Sequence, residues 1–283
     1  MRALVLSGGG SKGAFQVGVL SGIGSGFKIV TGSSVGALNA AYLSMFPVHR
    51  FRDAVKGLEE LWCTEILGLE MLWKKRWPWG LPGLWRNSIG KQKGLRKLVY
   101  KKLDRETILR SGVMIAVPAV DLITGAVRYF DRWDKALVDG VIASASIPVL
   151  MEPVRVGEGR YVDAGVREMA PLKRAIRMGA TEIVVVSCQP IVSVNEVRPK
   201  DVRKSLSVGM RSMELAVNEV LVNDLERCEV INQELDECTE SKKKKVKLTV
   251  IAPEKELGDS LDFDPGTIRR YMKHGVECAA TQL

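Results

Sequence analysis

The amino-acid sequence predicts an α/β protein of three α/β/α layers, in which helices cover both faces of a mostly parallel central sheet. Short apolar runs typical of buried strands alternate along the 283 residues with segments whose apolar residues have helical spacing. The first two runs each lead into a glycine-containing turn that opens a helix. No internal repeat and no Pro/Gly/Ser-rich linker divides the chain, so we expect one domain over residues 1–283.

Each element is assigned from its own pattern. Strands are predicted at 2–6, 29–30, 113–120, 126–130, 182–187 and 246–251, with a hairpin at 155–162. Helices are predicted at 13–20, 35–46, 51–69, 105–110, 135–144, 171–178, 202–235 and 265–274. Gly275 is expected to end the last of these helices.

The turn at residues 32–36, Gly-Ser-Ser-Val-Gly, matches the Gly-x-Ser-x-Gly pattern of a nucleophile elbow. In such a turn a strand bends sharply into a helix, and the serine hydroxyl is held clear of the backbone. Gly32 and Gly36 lack the Cβ that would clash where strand and helix approach each other. Ser34 would lie near the positive end of the helix dipole. The pattern therefore predicts Ser34 as a nucleophile.

The earlier turn, residues 8–13 with the sequence Gly-Gly-Gly-Ser-Lys-Gly, also fits the dinucleotide pattern Gly-x-Gly-x-x-Gly. A dinucleotide site needs an acidic residue about 20 residues further on. The first acid in the chain is Asp53, so this interpretation is disfavoured. Such a loop can instead point backbone N–H groups at developing negative charge, which makes an oxyanion hole. Adjacent parallel strands would place this loop and Ser34 at the same edge of the sheet.

A serine hydroxyl needs a base, and the sequence offers three candidates. His49 is best explained as a surface residue. His274 would give the chain order Ser34, Asp163, His274 of an α/β-hydrolase triad, although it lies where a helix is expected to end. Asp163 closes a hairpin before a turn of small residues, and a buried carboxylate can take a proton from a hydroxyl. An Asx turn would equally explain Asp163, so the residues alone leave the base open.

Basic residues are concentrated between residues 71 and 103, which contain ten lysines and arginines and no acid, in a chain of net charge +9. Four of the six tryptophans lie in 13 residues of this stretch. We expect a Trp-rich basic insertion at about 71–102 that meets an anionic membrane surface or covers the site. A loop packed on the core with solvated charges is the alternative, and nucleic acid is disfavoured because no binding motif accompanies the charge. The candidate membrane or lid residues are Trp73, Lys74, Lys75, Arg76, Trp77, Trp79 and Trp85.

The same sequence carries no targeting signal that we can identify. No run of about 18 apolar residues predicts a transmembrane helix, and the first residues are typical of a strand rather than a signal peptide. Five scattered cysteines and two histidines disfavour a disulfide framework and a zinc site. We therefore expect a cytoplasmic protein with peripheral membrane contact.

Four ordered motifs resemble the signature of patatin-like phospholipases. They are residues 8–13, residues 32–40, the Ala-Ser-Ala-Ser-Ile-Pro segment at 143–148 and the Asp-Ala-Gly segment at 163–165, and residues 268–275 are similar to that family's closing helix. The resemblance implies a patatin-like fold and a Ser–Asp dyad without histidine, in which Ser34 is the nucleophile and Asp163 the base. It also implies an oxyanion loop at Gly8, Gly9 and Gly10, with motif support from Lys12, Gly13, Gly32, Gly36, Ala164 and Gly165.

We therefore interpret the sequence as a serine lipid acyl hydrolase that cleaves membrane phospholipid or another acyl-ester lipid through an acyl-enzyme. The chemistry requires no metal or organic cofactor. Two alternatives stay open. The family usually has glycine directly after the aspartate, and if that position needs a positive φ, Ala164 costs roughly 1 kcal/mol or more. The protein would then be an impaired, lipid- or membrane-binding relative. The other alternative is a triad esterase that uses His274.

Overall fold

The computed structural model describes residues 1–75, 88, 90–191, 205–237 and 245–283, and strands and helices alternate along them. The strands are β1 (Arg2–Leu6), β2 (Ile29–Gly32), β3 (Lys74–Lys75), β4 (Gly90–Lys91), β5 (Met114–Asp121), β6 (Val127–Asp131), β7 (Val154–Val156), β8 (Gly159–Asp163), β9 (Glu182–Val186) and β10 (Lys247–Ile251). The helices are α1 (Gly13–Gly22), α2 (Val35–Leu43), α3 (Phe51–Thr64), α4 (Leu69–Leu72), α5 (Lys93–Lys102), α6 (Arg105–Ser111), α7 (Leu137–Ser144), α8 (Leu172–Arg177), α9 (Ser205–Glu237) and α10 (Pro265–Gln282).

One mixed sheet carries the fold in the order β10-β9-β1-β2-β5-β8-β7, and β6 pairs with β5. The five strands from β10 to β5 run parallel, whereas β6, β7 and β8 are antiparallel to their neighbours. Strands β3 and β4 form a separate two-stranded ribbon. Strands β1 and β9 are apolar and buried, as expected of parallel strands covered on both faces. The predicted α/β/α class with a mostly parallel sheet is confirmed.

Two clusters of buried apolar side chains lie on opposite sides of this sheet. The alternate residues Leu4 and Leu6 of β1 belong to the larger cluster, with residues of α1, α2, α3, α7 and α10. Ala3 and Val5 belong to the other, with residues of α8 and α9. Because successive side chains of a strand point to opposite faces, this division places helices on both faces of the sheet.

The register of β5 brings two strand ends together. Residue Ala116 pairs with both Thr31 of β2 and a residue of β6, so β2 and β6 occupy opposite edges of β5. Residue Ala119 likewise pairs with both β6 and Asp163 of β8. Strands β2 and β8 therefore share one edge of β5, and they run toward each other along it. Their carboxyl ends converge at the gap between Ala116 and Ala119.

Helices α1 and α10 approach each other closely through two glycines. A Cβ on Gly18 would lie 1.9 Å from the Met272 carbonyl oxygen, and a Cβ on Gly275 would lie 2.2 Å from the Phe15 carbonyl oxygen. The expectation that Gly275 ends the last helix is wrong, because α10 continues to Gln282. At this position glycine makes room for a neighbouring helix instead of terminating its own.

The basic stretch also differs from the sequence-based expectation. Residues 93–102 form the amphipathic helix α5, which we did not predict. The helix expected at 51–69 is divided into α3 and the short α4. Arg76, Trp77, Trp79 and Trp85 lie outside the described residues. Within the described ranges, none of the helices combines the length and the apolar character that a membrane crossing requires.

Replacement of Gly275 by alanine is expected to lower the free energy of unfolding by about 1–3 kcal/mol, because the new Cβ forces α1 and α10 apart. Gly209 is a matched control: it also lies within a helix, α9, but a Cβ there would meet no atom within 4 Å. Its replacement by alanine should raise the free energy of unfolding by about 0.5–1 kcal/mol. Urea denaturation of the two variants measures both changes. Equal effects of the two substitutions would contradict the close helix contact.

Candidate active site

The turn between β2 and α2 holds Ser34 in a strained conformation. Ser34 has φ 54° and ψ −125°, outside the regions that serine ordinarily occupies, and α2 begins at the next residue. A Cβ on Gly32 would lie 2.2 Å from the Gly36 carbonyl oxygen, and a Cβ on Gly36 would lie 2.5 Å from that of Leu6. Only glycines allow this turn, which has the features of a nucleophile elbow. The Ser34 side chain therefore lies at the positive end of α2.

The glycine loop after β1 lies beside this elbow because β1 and β2 are paired neighbours. The Gly8 N–H donates a hydrogen bond to the Met169 carbonyl oxygen at 3.0 Å, so it is not free to act as an oxyanion donor. The N–H groups of Gly9 and Gly10 have no hydrogen-bond partner among the described residues. Gly10 has φ 59°, and a Cβ there would lie 2.2 Å from the Ser260 carbonyl oxygen. Of the three glycine amides expected to bind an oxyanion, two therefore have no partner among the described residues.

Asp163 meets Ser34 at the convergence of β2 and β8. Both side chains line the same recess, and the Gly165 N–H donates a hydrogen bond to Asp163 Oδ1 at 2.8 Å. Burial raises the pKa of the Asp163 carboxyl to about 6, and the neighbouring Ser34 hydroxyl and Gly165 N–H partly oppose that shift. The carboxylate is therefore ionised at neutral pH but is a stronger base than an exposed aspartate.

The segment after α7 positions the backbone of both residues. The Ser34 N–H donates to Ser144 Oγ at 3.1 Å, and the Asp163 N–H donates to the Ser146 carbonyl oxygen at 2.9 Å. Ser146 Oγ donates in turn to the Ile142 carbonyl oxygen at 2.7 Å. The motif at residues 143–148 is thus a frame that fixes the two strand ends relative to each other.

A buried amide holds this frame from the other side. Gln92, directly before α5, donates from Nε2 to Ser146 Oγ at 3.2 Å and to the Glu152 carbonyl oxygen at 2.7 Å. Its Oε1 accepts from the Glu152 N–H at 2.8 Å. The loop between these contacts contains Val149, whose φ of 70° is unfavourable for a β-branched residue. Gln92 therefore fixes both ends of a strained loop beside the two reactive side chains.

Further buried polar groups, which sequence analysis missed, connect the elbow helix to its neighbours. Asn39 Nδ2 donates to Gln16 Oε1 at 2.9 Å, and Gln16 Nε2 donates to the Ser7 carbonyl oxygen at 2.7 Å. Trp62 Nε1 donates to Asn39 Oδ1 at 3.0 Å. Polar residues inside otherwise apolar helices are the signal that could have identified this network.

Lys12 and Gly13 support the glycine loop from behind. The Lys12 side chain is almost fully buried and forms an ion pair with Glu256. A Cβ on Gly13 would lie 2.4 Å from a methyl group of Val35. Both residues therefore tie the loop to the packed interior rather than contributing to an exposed surface.

Ser34 lies where an apolar cavity and a second recess meet. The cavity has a volume of about 830 Å³, including space open to solvent, and is lined mainly by aliphatic side chains of α2, α3 and α5. The recess has a volume of about 560 Å³ on the same basis, and its lining combines Asp163, Gln189, Glu214 and Ser260 with Ile147, Met169, Met213 and Val217. Such an arrangement offers an apolar compartment and one of mixed character to the two sides of one ester bond. No three His, Cys, Asp or Glu side chains cluster as a metal site in the part of the chain that is described.

Comparison with known proteins identifies the family. Residues 4–176 match the sequence profile described as patatin-like phospholipase. The chain belongs to the patatin-like phospholipase family. A curated relative from Pseudomonas aeruginosa (strain BWHPSA011 / Pa011), named cGAMP-activated phospholipase, is 28% identical over 187 residues, which cover 59% of this chain and 53% of the relative.

Two solved structures are also similar. VipD from Legionella pneumophila has a TM-score of 0.43 and 13% identity, covering 99% of this chain and 66% of that protein. The type III effector ExoU has a TM-score of 0.38 and 13% identity, covering 99% of this chain and 52% of that protein. The chain spans about half the length of the curated relative and of ExoU.

The departure from the patatin-like pattern at Ala164 causes no strain. Among the described residues with a side chain beyond hydrogen, the positive φ values belong to Ser34 and Val149. Ala164 is fully buried in a short 3₁₀ turn. Ala164 therefore does not incur the expected cost of a positive φ. The Gly165 N–H still donates its hydrogen bond to the Asp163 carboxylate.

Neither histidine approaches the site. His274 lies on α10, its ring 5.8 Å from that of Phe15, and its Nδ1 is 3.4 Å from a Glu277 oxygen. None of its described contacts is with Ser34 or Asp163. His49 is exposed. The triad expected from the chain order is not assembled.

The described part of the basic insertion is attached to the loop that follows the frame. Trp73 is half-buried, and its Nε1 donates to the Leu150 carbonyl oxygen at 2.8 Å, while the Gly90 N–H donates to the same oxygen at 3.0 Å. The Trp73 indole is thus held against the protein by its hydrogen bond and is not available to enter a bilayer. Lys74 is exposed, and Lys75 contributes backbone to the ribbon.

Replacement of Asp163 by asparagine is expected to stabilise the fold at alkaline pH and not at acidic pH. The folded-state pKa of about 6 lies above the ordinary 3.8, so the unfolded chain releases its proton first as the pH rises. The free energy of unfolding of the parent therefore falls as the pH rises through 3.8 toward 6, and at pH 8 the total loss is about 3 kcal/mol. Urea denaturation of parent and D163N at pH 4 and pH 8 measures the change. A difference in unfolding free energy between the two proteins that is the same at both pH values would contradict the buried carboxylate.

Proposed function

We propose that this protein is a lipid acyl hydrolase that cleaves carboxylic esters through an acyl-enzyme on Ser34. The observation that carries the proposal is the placement of Ser34 and the buried Asp163 in one recess, at the convergence of β2 and β8, with an apolar cavity on the other side of the serine. Membership of the patatin-like phospholipase family supports a lipid substrate.

The reaction begins when Asp163 accepts the hydroxyl proton as Ser34 Oγ attacks the ester carbonyl carbon. The resulting tetrahedral oxyanion receives hydrogen bonds from the N–H groups of Gly9 and Gly10. As the carbon–oxygen bond to the alcohol breaks, Asp163 returns the proton to the leaving oxygen. A water molecule then attacks the acyl-enzyme, giving its proton to Asp163, and the fatty acid is released when Ser34 regains it.

The raised pKa of Asp163 suits this role. A base with an ordinary aspartate pKa takes a proton from an alcohol poorly, because general base catalysis is most effective when the pKa lies near the working pH. A pKa of about 6 leaves the carboxylate ionised at neutral pH and brings it closer to that optimum. The hydrogen bond from Gly165 orients one carboxylate oxygen and leaves the rest of the group to the serine.

The cavity and the recess would bind different parts of the substrate. The apolar cavity takes the acyl chain, because burying its methylene groups is favourable by about 0.8 kcal/mol each. The second recess takes the alcohol part, since Gln189 and Glu214 place an amide and a carboxyl group there, whereas the described residues that line the apolar cavity include no carboxyl group. We assign the substrate as an acyl-ester lipid.

Three substitutions test the dyad on a short-chain ester, p-nitrophenyl butyrate, with labelling by a fluorophosphonate probe. Ser34→Ala is expected to abolish labelling, and Asp163→Asn to reduce kcat by about 100- to 10,000-fold. His274→Gln should leave kcat unchanged. Each assay is run with and without cGAMP, because the relative's name describes it as cGAMP-activated.

Ser33→Ala is the matched control, since the Ser33 hydroxyl is buried beside the elbow with no partner among the described residues. It should retain both labelling and activity. Loss of activity in His274→Gln as well as Asp163→Asn would favour the triad. A parent that is neither labelled nor active would favour the lipid-binding alternative.

We also propose that the outer face of α5 contacts an anionic membrane surface. Lys93 and Lys97 are exposed one turn apart on this helix, and neither has a carboxylate partner among the described residues. The opposite face of α5, including Leu95 and Val99, is buried against the cavity. Exposed lysines are attracted to the negative surface potential of anionic lipids, so this basic outer face favours contact with such a membrane.

Replacing Lys93 and Lys97 together by glutamine is expected to weaken binding to phosphatidylglycerol vesicles about 10- to 30-fold at low salt, since each lysine near an anionic surface contributes about 1 kcal/mol. Vesicle sedimentation at low and high salt measures the affinity. Replacement of the exposed Lys28 and Lys56 removes the same charge from other surfaces and should have a smaller effect. If both double variants, or both salt concentrations, gave the same affinity, α5 would not be the membrane contact.

A further inference from the structure

The apolar cavity beside Ser34 runs along helix α2. It is lined by Val35, Leu38 and Tyr42, which are spaced by three and four residues and so share one face of that helix. Tyr42 lies seven residues beyond Val35, which corresponds to about 10 Å at a rise of about 1.5 Å per residue. Along this helix, the cavity lining therefore extends about 10 Å, from Val35 beside the reactive serine to Tyr42.

The far end of this cavity is polar, unlike its walls. Lys102, at the end of α5, lines the cavity together with Tyr42 and forms an ion pair with Glu65, which directly follows α3. Lys101 binds the other carboxylate oxygen of Glu65 at 3.2 Å but does not line the cavity. Tyr42 and Lys102 line the same cavity, and the ion pair brings Glu65 beside Lys102, so the three groups lie at one end of it.

We propose that Tyr42 and the Lys102–Glu65 ion pair close the acyl pocket and set the length of acyl chain that this enzyme prefers. The inference rests on the proposed function and names its substrate class. With C–C bonds of about 1.5 Å, an extended chain advances about 1.3 Å per carbon, so about 10 Å holds roughly eight carbons. The preferred substrates are therefore esters of medium-chain acyl groups.

The chemistry of the far end opposes longer chains. Each methylene group buried against the aliphatic walls increases the affinity for the chain, so kcat/KM should rise by up to about fourfold per carbon as the cavity fills. Beyond the eighth carbon, further methylene groups meet the ammonium and carboxylate groups and displace the water that solvates them, which is unfavourable. Longer chains gain nothing unless the Lys102 side chain moves aside.

The test uses p-nitrophenyl esters of 4 to 16 carbons and two matched variants of the full chain. Lys102→Met replaces the cavity-lining ammonium with an apolar group. Lys101→Met removes the same charge from the same helix and from the same Glu65 partner, but from a side chain that is 62% exposed outside the cavity. Circular dichroism checks that both variants are folded.

The parent is expected to show maximal kcat/KM near eight carbons. Lys102→Met should move the maximum toward 12 carbons and raise the ratio of dodecanoate to octanoate hydrolysis about tenfold, whereas Lys101→Met should keep the parent profile. A parent profile that rises steadily to 16 carbons would overturn the proposal. Identical shifts in both variants, or no shift in Lys102→Met, would overturn it as well.

Failure of the proposed function gives a different result. A parent that hydrolyses none of the esters contradicts the catalytic proposal but still has the cavity. Binding of fatty alcohols of 8 and 16 carbons is then followed by tryptophan fluorescence, since Trp62 lines the cavity. A preference for octanol that is reversed only in Lys102→Met supports the closed end, and equal affinities in all three proteins overturn it.

Discussion

The active site depends on the meeting of two strand ends along one edge of β5. Strand β2 pairs with the first part of that edge and β8 with the last part, in opposite directions, so Ser34 and Asp163 approach each other across a short gap. The placement of their side chains in one recess follows from this register. A one-residue slip of β8 would turn Asp163 to the other face of the sheet. The antiparallel strands, rather than the parallel block, therefore decide which carboxylate faces the serine.

The surrounding structure stabilises an arrangement that is locally unfavourable. Ser34 and Val149 have strained backbone conformations, each costing of order 1–3 kcal/mol, and the Asp163 carboxylate is buried. Opposing these costs are the hydrogen bonds from the frame at residues 143–148 and the buried contacts of Gln92. Because these bonds fix positions on both sides of the site, the two reactive groups are held in place before any substrate binds.

Much of the fold follows from patterns within single segments of the sequence. Apolar runs locate the strands, and the spacing of small residues locates the elbow around Ser34 and the glycine loop, because those features depend on neighbouring residues alone. The length of α10 and the Met169 partner of the Gly8 N–H could not be predicted in this way, because both depend on contact with a distant segment. The helix at residues 93–102 could have been predicted, since Leu95, Leu98 and Val99 have helical spacing.

The Gln92 amide has a mechanical consequence for the whole site. Its three hydrogen bonds join the first turn of α5 to both ends of the loop that carries Ile147 and Val149. A shift of helix α5 relative to the sheet would therefore either break these buried hydrogen bonds or move that loop with the helix. One planar side chain thus connects the start of the helix that carries the surface lysines to the segment that positions the reactive serine.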